Sequence, residues 1–188
     1  MKENIFSKTW KFLRKDSWLS LIVTLVIAFL IIKLVVFPLL SFFTGTSLPL
    51  VIVESCSMHH SVSMQEIMSN PVYAQYGLSY DDSKSWSFQN GFNKGDIVFV
   101  VGAKNIKVGD VIIFNGGTNY PIIHRIVNID ENGRITTKGD NNSDSLPQEK
   151  SFSKELVLGK AVFRIPYLGW IKLIFFEFLR NDGSRGFC

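Results

Sequence analysis

The sequence predicts a mainly β protein. A single N-terminal transmembrane helix leads into an antiparallel β-rich domain with a helical or loop insertion and a C-terminal amphipathic apolar segment. Three observations carry this prediction. A run of 26 residues, Trp18 to Phe43, is apolar apart from two hydroxyls, one later serine and one charge. Beyond it, short β-forming stretches follow one another with turns between them and no intervening helices, the pattern of an antiparallel β domain. The composition, 46% apolar and 19% charged, is too apolar for a disordered chain.

The apolar run reads WLSLIVTLVIAFLII, then Lys33, then LVVFPLLSFF. As a helix it would be about 39 Å long, more than the roughly 30 Å hydrocarbon core of a bilayer. Its apolar residues go all the way round, which argues against the core helix of a soluble domain. It is longer than the apolar region of a cleavable signal peptide, and no A-x-A site follows it, so an uncleaved anchor is expected. Lys33 lies near the far end and can snorkel. Pro38 is expected to kink or end the helix.

The net charge of +4 is placed unevenly. Residues 1–17 carry Lys2, Lys8, Lys11, Arg14 and Lys15 against Glu3 and Asp16, while residues 44–188 carry 14 basic and 14 acidic groups. The positive-inside rule then puts 1–17 in the cytoplasm and the following domain outside the cell membrane, or in the lumen if the membrane is that of the endoplasmic reticulum. A nucleic-acid partner is not expected, because the folded part has no basic excess. The organisation predicted is a cytoplasmic flank (1–17), an anchor (18–43), an outer domain (44–180) with an insertion at 62–93, and a tail (181–188).

Within the outer domain, strands are expected at Leu48–Glu54, Asp96–Val101, Asp110–Phe114, Tyr120–Ile129, Arg134–Thr137 and Leu156–Ile165. Glu131-Asn132-Gly133 reads as a hairpin turn. The polar, aromatic-bearing stretch 62–93 breaks the β pattern, with one helix expected near 63–69. Tyr167 to Leu179 is too short to span a bilayer and reads either as a core helix or as a helix lying in the membrane interface.

Chemistry-bearing residues are few. Cys56 and Cys188 lie 132 positions apart, with no CxxC and no even ladder, so neither a zinc ribbon nor a disulfide scaffold is expected. His59 and His60 are adjacent and would point to opposite faces of a strand. With His124 they make no metal site, and none is expected. Ser57 follows a β-run directly and can be a nucleophile if a base reaches it; on spacing alone a polar turn is the plainer reading. His124 sits among β-formers and is rigidly placed, as a structural histidine would be. Asp140 leads into a polar loop, with Asp144 four residues on. One Ser, one His and one loop Asp can form an acyl-transfer triad.

Four stretches in order resemble the type I signal peptidases. Pro49 to Met58 (PLVIVESCSM) resembles the nucleophile box, Ile123-His124-Arg125-Ile126 the second catalytic box, and Thr137 to Asn142 (TKGDNN) the third. Gly159-Lys160-Ala161-Val162 through Ile165 to Trp170 (IPYLGW) resembles the segment that follows. The match spans most of residues 18–170. Bacterial members use a Lys in the second box; His124 here is similar to the archaeal and endoplasmic-reticulum subtype, which uses Ser, His and Asp. Two departures stand out. The nucleophile box has Cys56 where the family usually has Gly. Leu146 occupies the position six residues after Asp140 where a second Asp is common, so either Asp140 or Asp144 is left to orient the imidazole.

The resemblance implies a membrane-bound serine endopeptidase that removes signal peptides from secretory preproteins after small residues, without metal or organic cofactor. Ser57 would be the nucleophile and His124 the base, with Asp140 or Asp144 as the acid. The Ser55 hydroxyl and the Ser57 N–H would form the oxyanion hole. The substrate would lie extended beside Leu50, Ile52 and Val53 and pair with their backbone. Cys56 would point away from both serines, and His59 and His60 would solvate the turn. Preprotein signal peptides and the lipid bilayer are the implied partners, and the sequence leaves open whether accessory membrane subunits join them. Two rivals remain. A membrane-anchored binding module would use the serine box only as a turn. A repressor-cleaving Ser–Lys peptidase would need a DNA-binding module, which residues 1–17 are too short to supply.

Overall fold

A computed structural model describes Asn4 and residues 10–118, 120–179 and 185–188. Lys2, Glu3 and Lys8 of the basic flank, and residues 181–184 of the tail, lie outside the described residues. The chain divides into two units, 1–43 and 44–188.

The apolar run forms one helical stretch, Trp18–Thr44, of 27 residues. Helix α1 (Trp18–Ile31) starts where the Ser17 side chain accepts the Ser20 N–H, satisfying one of the donors that a helix start leaves free. Its two polar residues bond within the unit: the Ser20 hydroxyl donates to the Phe12 and Leu13 carbonyls, and the Thr24 hydroxyl to Ser20 O, four residues back. Pro38 does not end the helix. The turn before it, Ile32–Val36, widens to π-helical geometry, and α2 (Phe37–Thr44) continues beyond. Pro38 has no N–H to give and its ring crowds the preceding turn; a wider turn absorbs both defects.

The second unit is built on a six-stranded antiparallel sheet in the order β1-β2-β6-β3-β4-β5. The strands are β1 (Leu50–Ile52), β2 (Ile97–Val101), β3 (Val111–Phe114), β4 (Ile122–Ile129), β5 (Ile135–Lys138) and β6 (Val157–Ile165). All six fall where the sequence places them, within a few residues at the ends. Strand β3 is buried on both faces, which explains its unbroken VIIF. Val111 and Ile113 join a core with Val53, Met58, Phe92, Val98, Val100, Ile123 and Ala161. Ile112 and Phe114 join another with Ile126, Ile135 and Phe152. The β4–β5 turn is held by Asp130, whose carboxylate accepts the N–H groups of Asn132 and Arg134, with Gly133 at φ 74°.

The insertion holds three short helices where one was expected: α3 (Met64–Met68), α4 (Pro71–Gln75) and α5 (Tyr80–Ser83). Each is too short to show helical periodicity. Their signals are caps: Ser63 accepts the Glu66 N–H, Asn70 precedes Pro71, and Ser79 pairs with Asp82. Met64, Ile67, Met68, Tyr73 and Trp86 pack with Val127 of β4, so the insertion is a second layer on the sheet.

The tail is not the core helix that was one of its two expected forms. Helix α6 covers only Trp170–Leu173, followed by a 3₁₀ turn at Glu177–Leu179. Leu173 is buried while Ile171, Ile174, Phe175 and Phe178 stay exposed.

Phe114 is fully buried and its ring stacks on that of Phe152 at 4.5 Å. Phe114→Ala is expected to lower the unfolding free energy by about 3–5 kcal/mol, read from the urea midpoint. A loss within the ~0.5 kcal/mol of an ordinary surface substitution would contradict this packing.

Candidate active site

Strand β1 lies at the edge of the sheet, paired only with β2. The Val53 N–H donates to Asp96 O and the Val53 carbonyl accepts from Gly95 N, so Val53 bonds inward, and its side chain is 1% exposed in the core. This corrects the expectation that Val53 contacts substrate. Antiparallel alternation then turns the N–H and C=O groups of Leu50 and Ile52 to the open edge. Their side chains line a cleft of about 940 Å³ together with Glu54, Ser55, Ser57, Tyr120, Ile122 and His124. Leu173, Phe176 and Leu179 of the tail form part of its apolar wall.

After Val53 the chain turns through Ser55-Cys56-Ser57-Met58. Met58 is fully buried and anchors the turn, its carbonyl accepting the Phe92 N–H. The loop after β5 holds the turn from the other side. Asn141 N–H donates to Ser57 O at 2.8 Å, and Asn141 Nδ2 to Cys56 O at 3.0 Å. Gly139 is pressed so close that a Cβ there would lie 2.8 Å from both His124 Nε2 and Ser57 O. No side chain larger than hydrogen fits this position in the third box.

The geometry brings Ser57 and His124 together. His124 Nε2 lies 2.9 Å from Ser57 Oγ, and Ser55 Oγ lies 3.2 Å from Ser57 Oγ. The carboxylate on the far side of the ring is that of Glu149, whose Oε1 accepts from His124 Nδ1. Glu149 is fully buried. Its Oε1 also accepts the Thr137 hydroxyl at 3.0 Å, and its Oε2 the Leu146 N–H at 2.7 Å. An acceptor-only group at Nδ1 fixes the tautomer that leaves the Nε2 lone pair facing the Ser57 hydroxyl.

Neither aspartate occupies that place. The Asp140 carboxylate takes the Arg125 guanidinium through Nε and Nη2 at 2.7–3.2 Å and His60 Nε2 at 2.8 Å. Burial alone would raise its pKa, but the Arg125 charge and the His60 and Arg125 hydrogen bonds hold it well below the usual carboxylate range. Asp144 is exposed and faces Lys150 Nζ at 3.0 Å and the Ser145 N–H. The expectation that one of them orients His124 is therefore corrected. The 3₁₀ turn Pro147–Glu149 carries the carboxylate in from three residues beyond the position where an Asp was sought. The available signal was local: a proline at the first position of a turn, with a glutamate two residues later reaching back to the Leu146 N–H.

Two further expectations change. Cys56 and Cys188 are joined by a disulfide, with Cα atoms 5.5 Å apart. One bridge is not a scaffold ladder, but the two thiols are not independent. His59 and His60 do not merely solvate the turn: His59 Nδ1 pairs with Asn93 Oδ1 at 2.8 Å, and the His60 side chain is 5% exposed. Lys138, a possible rival base by its residue type, is buried with Nζ donating to the carbonyls of Gly139 and Asp140; burial pushes its pKa below the ordinary lysine value.

Two known proteins resemble parts of the chain. No family model matches it. The signal peptidase complex catalytic subunit SEC11 of Plasmodium falciparum is 29% identical over 154 residues, 77% of this chain and 67% of that protein. Signal peptidase I W of Bacillus subtilis is 37% identical over 82 residues, 39% of this chain and 43% of that protein.

Proposed function

We propose that the chain is a type I signal peptidase of the archaeal and endoplasmic-reticulum kind, a reading supported by its similarity to two signal peptidases, and that Ser57, His124 and Glu149 carry its hydrolysis of signal peptides. The observation that supports the assignment is the unbroken line from the Ser57 hydroxyl through His124 to the buried Glu149 carboxylate.

In this mechanism the cleavage region of the substrate lies extended along the open edge of β1 and pairs with Leu50 and Ile52. Small pockets beside that edge select small side chains by excluding large ones. The Ser57 oxygen attacks the scissile carbonyl carbon while His124 Nε2 takes its proton. Glu149 stabilises the imidazolium that results. The oxyanion is received by the Ser57 N–H and the Ser55 hydroxyl, which is already 3.2 Å from the nucleophile. The tetrahedral intermediate collapses as His124 gives the proton to the leaving amine, so the signal peptide remains as an ester on Ser57. Water, deprotonated by the same ring, then hydrolyses the ester.

We place this reaction at the outer or luminal membrane face. The helix Trp18–Thr44 is long and apolar enough to cross a bilayer, the basic flank precedes it, and a disulfide belongs to an oxidising compartment. Signal peptides and the bilayer itself are the two partners proposed for this chain.

Cleavage of a preprotein in detergent tests the chemistry. Ser57→Ala and His124→Ala are each expected to lower kcat by about 10⁴–10⁶. Glu149→Gln is expected to cost about 10⁴, because an amide can favour the wrong tautomer. Asp144→Ala should stay near wild type. Near wild-type turnover in Ser57→Ala, or a severe loss only at Asp144, would overturn the assignment.

Sealed vesicles of native topology test the membrane face. Protease added from the cytoplasmic side is expected to leave residues 44–188 intact; degradation of that domain would reverse the topology.

A further inference from the structure

We infer that His60 is carried as an imidazolium and is a positioning residue for the Ser57–His124 pair, acting through Asp140. The inference deepens the proposed mechanism and rests on it for its consequence in rate, but not for the state of the ring.

Both ring nitrogens of His60 face acceptors. Nδ1 lies 2.9 Å from the Gln89 carbonyl, and Nε2 lies 2.8 Å from Asp140 Oδ2. A carbonyl oxygen has no proton to give. The Asp140 carboxylate, already holding a buried guanidinium through both its oxygens, is an acceptor too. A neutral imidazole satisfies one of these contacts and opposes a lone pair to the other. Only the ring with two N–H groups satisfies both, and with a side chain 5% exposed, water offers little substitute.

The surroundings are built for two cations around one carboxylate. Three successive carbonyls converge on them: Ser87 and Phe88 accept from Arg125, and Gln89 accepts from His60. Phe88 takes φ 58° to make this turn, a conformation that non-glycine residues rarely adopt. The remaining titratable neighbours are accounted for. Arg125 also bonds Gly109 O, and Asp110 bears on it electrostatically. Lys138 is held by the Gly139 and Asp140 carbonyls. Burial, reinforced by Asp140, keeps the Tyr73 phenol neutral. His59 turns to Asn93.

The cluster bears on catalysis through the loop that Asp140 belongs to. Gly139 lies against His124 Nε2 and the Ser57 carbonyl, Asp140 N–H points to Met58 Sδ at 3.4 Å, and Asn141 holds Ser57 O. His60, three residues beyond Ser57, therefore closes a ring: nucleophile turn, His60, Asp140, loop, nucleophile turn. Opening it frees the back wall of the Ser57–His124 pair without touching the substrate edge at Leu50 and Ile52. Its signature in rate is a loss in kcat with KM preserved.

Two measurements on the full-length protein in detergent test this. In the first, ¹⁵N-histidine spectra of Ser57→Ala at neutral pH, assigned by the signals lost on adding His60→Gln, are expected to show both His60 nitrogens protonated. A single neutral tautomer would overturn the inference, whether or not the protein cleaves preproteins. In the second, His60→Gln is expected to lower kcat by about 10²-fold, as for a misplaced reacting group, and to leave KM within about twofold. His60→Arg, which keeps a cation on Asp140, should recover part of kcat. Altered kcat and KM together, with no recovery in His60→Arg, would assign His60 a purely structural role and reject the proposal.

Discussion

Asp140 buries a carboxylate, and the charge it takes out of water dictates what must stand around it. An unpaired ion there would cost several kcal/mol, so Arg125 is drawn fully inside to meet it, and the remaining guanidinium N–H groups must find carbonyls at Ser87, Phe88 and Gly109. One ion pair thus ties β4, the loop after β5 and the end of the insertion into a single unit. The insertion, polar and without β character, is held on the sheet by the Arg125 bonds to Ser87 and Phe88 and by the Met64–Trp86 cluster.

Strand alternation then separates the two tasks of β4. Arg125 goes to the clamp, while His124, its neighbour, shares the other face with Ile122 and Ile126 and reaches the cleft. His124 is rigid because its strand is paired on both sides, with β3 and with β5. Its orientation is completed by Glu149, which Thr137 of β5 and the Leu146 backbone hold by both oxygens. Ser57, His124 and Glu149 come from an edge-strand turn, an interior strand and a 3₁₀ turn. The three are separated widely in sequence and joined only by the sheet.

The sheet was legible because its signals are local. Runs such as VIIF, opened by the Gly109-Asp110 turn, and IIHRIV report burial directly, and Ser57 and His124 lie in boxes whose residue order can be read. Longer-range features left less trace. Glu149 escaped because an acid was sought at the spacing of Asp140, Asp144 and Leu146, whereas a glutamate on a proline-started turn reaches the same imidazole from farther along. The Cys56–Cys188 bridge spans 132 positions with no motif at either end. Helices of four or five residues show no periodicity. Val53 was assigned to substrate by its place in a strand whose length, but not whose inward-facing backbone, the sequence reveals.

The central claim is that Ser57 is a nucleophile made reactive by His124. Stoichiometric labelling with a serine-directed phosphonate ester, located by mass spectrometry of the digested protein, tests it most directly. The account predicts one adduct per chain, on Ser57, whose formation is slowed severely in His124→Ala. An adduct on another residue, or labelling of Ser57 that is indifferent to His124, would contradict it.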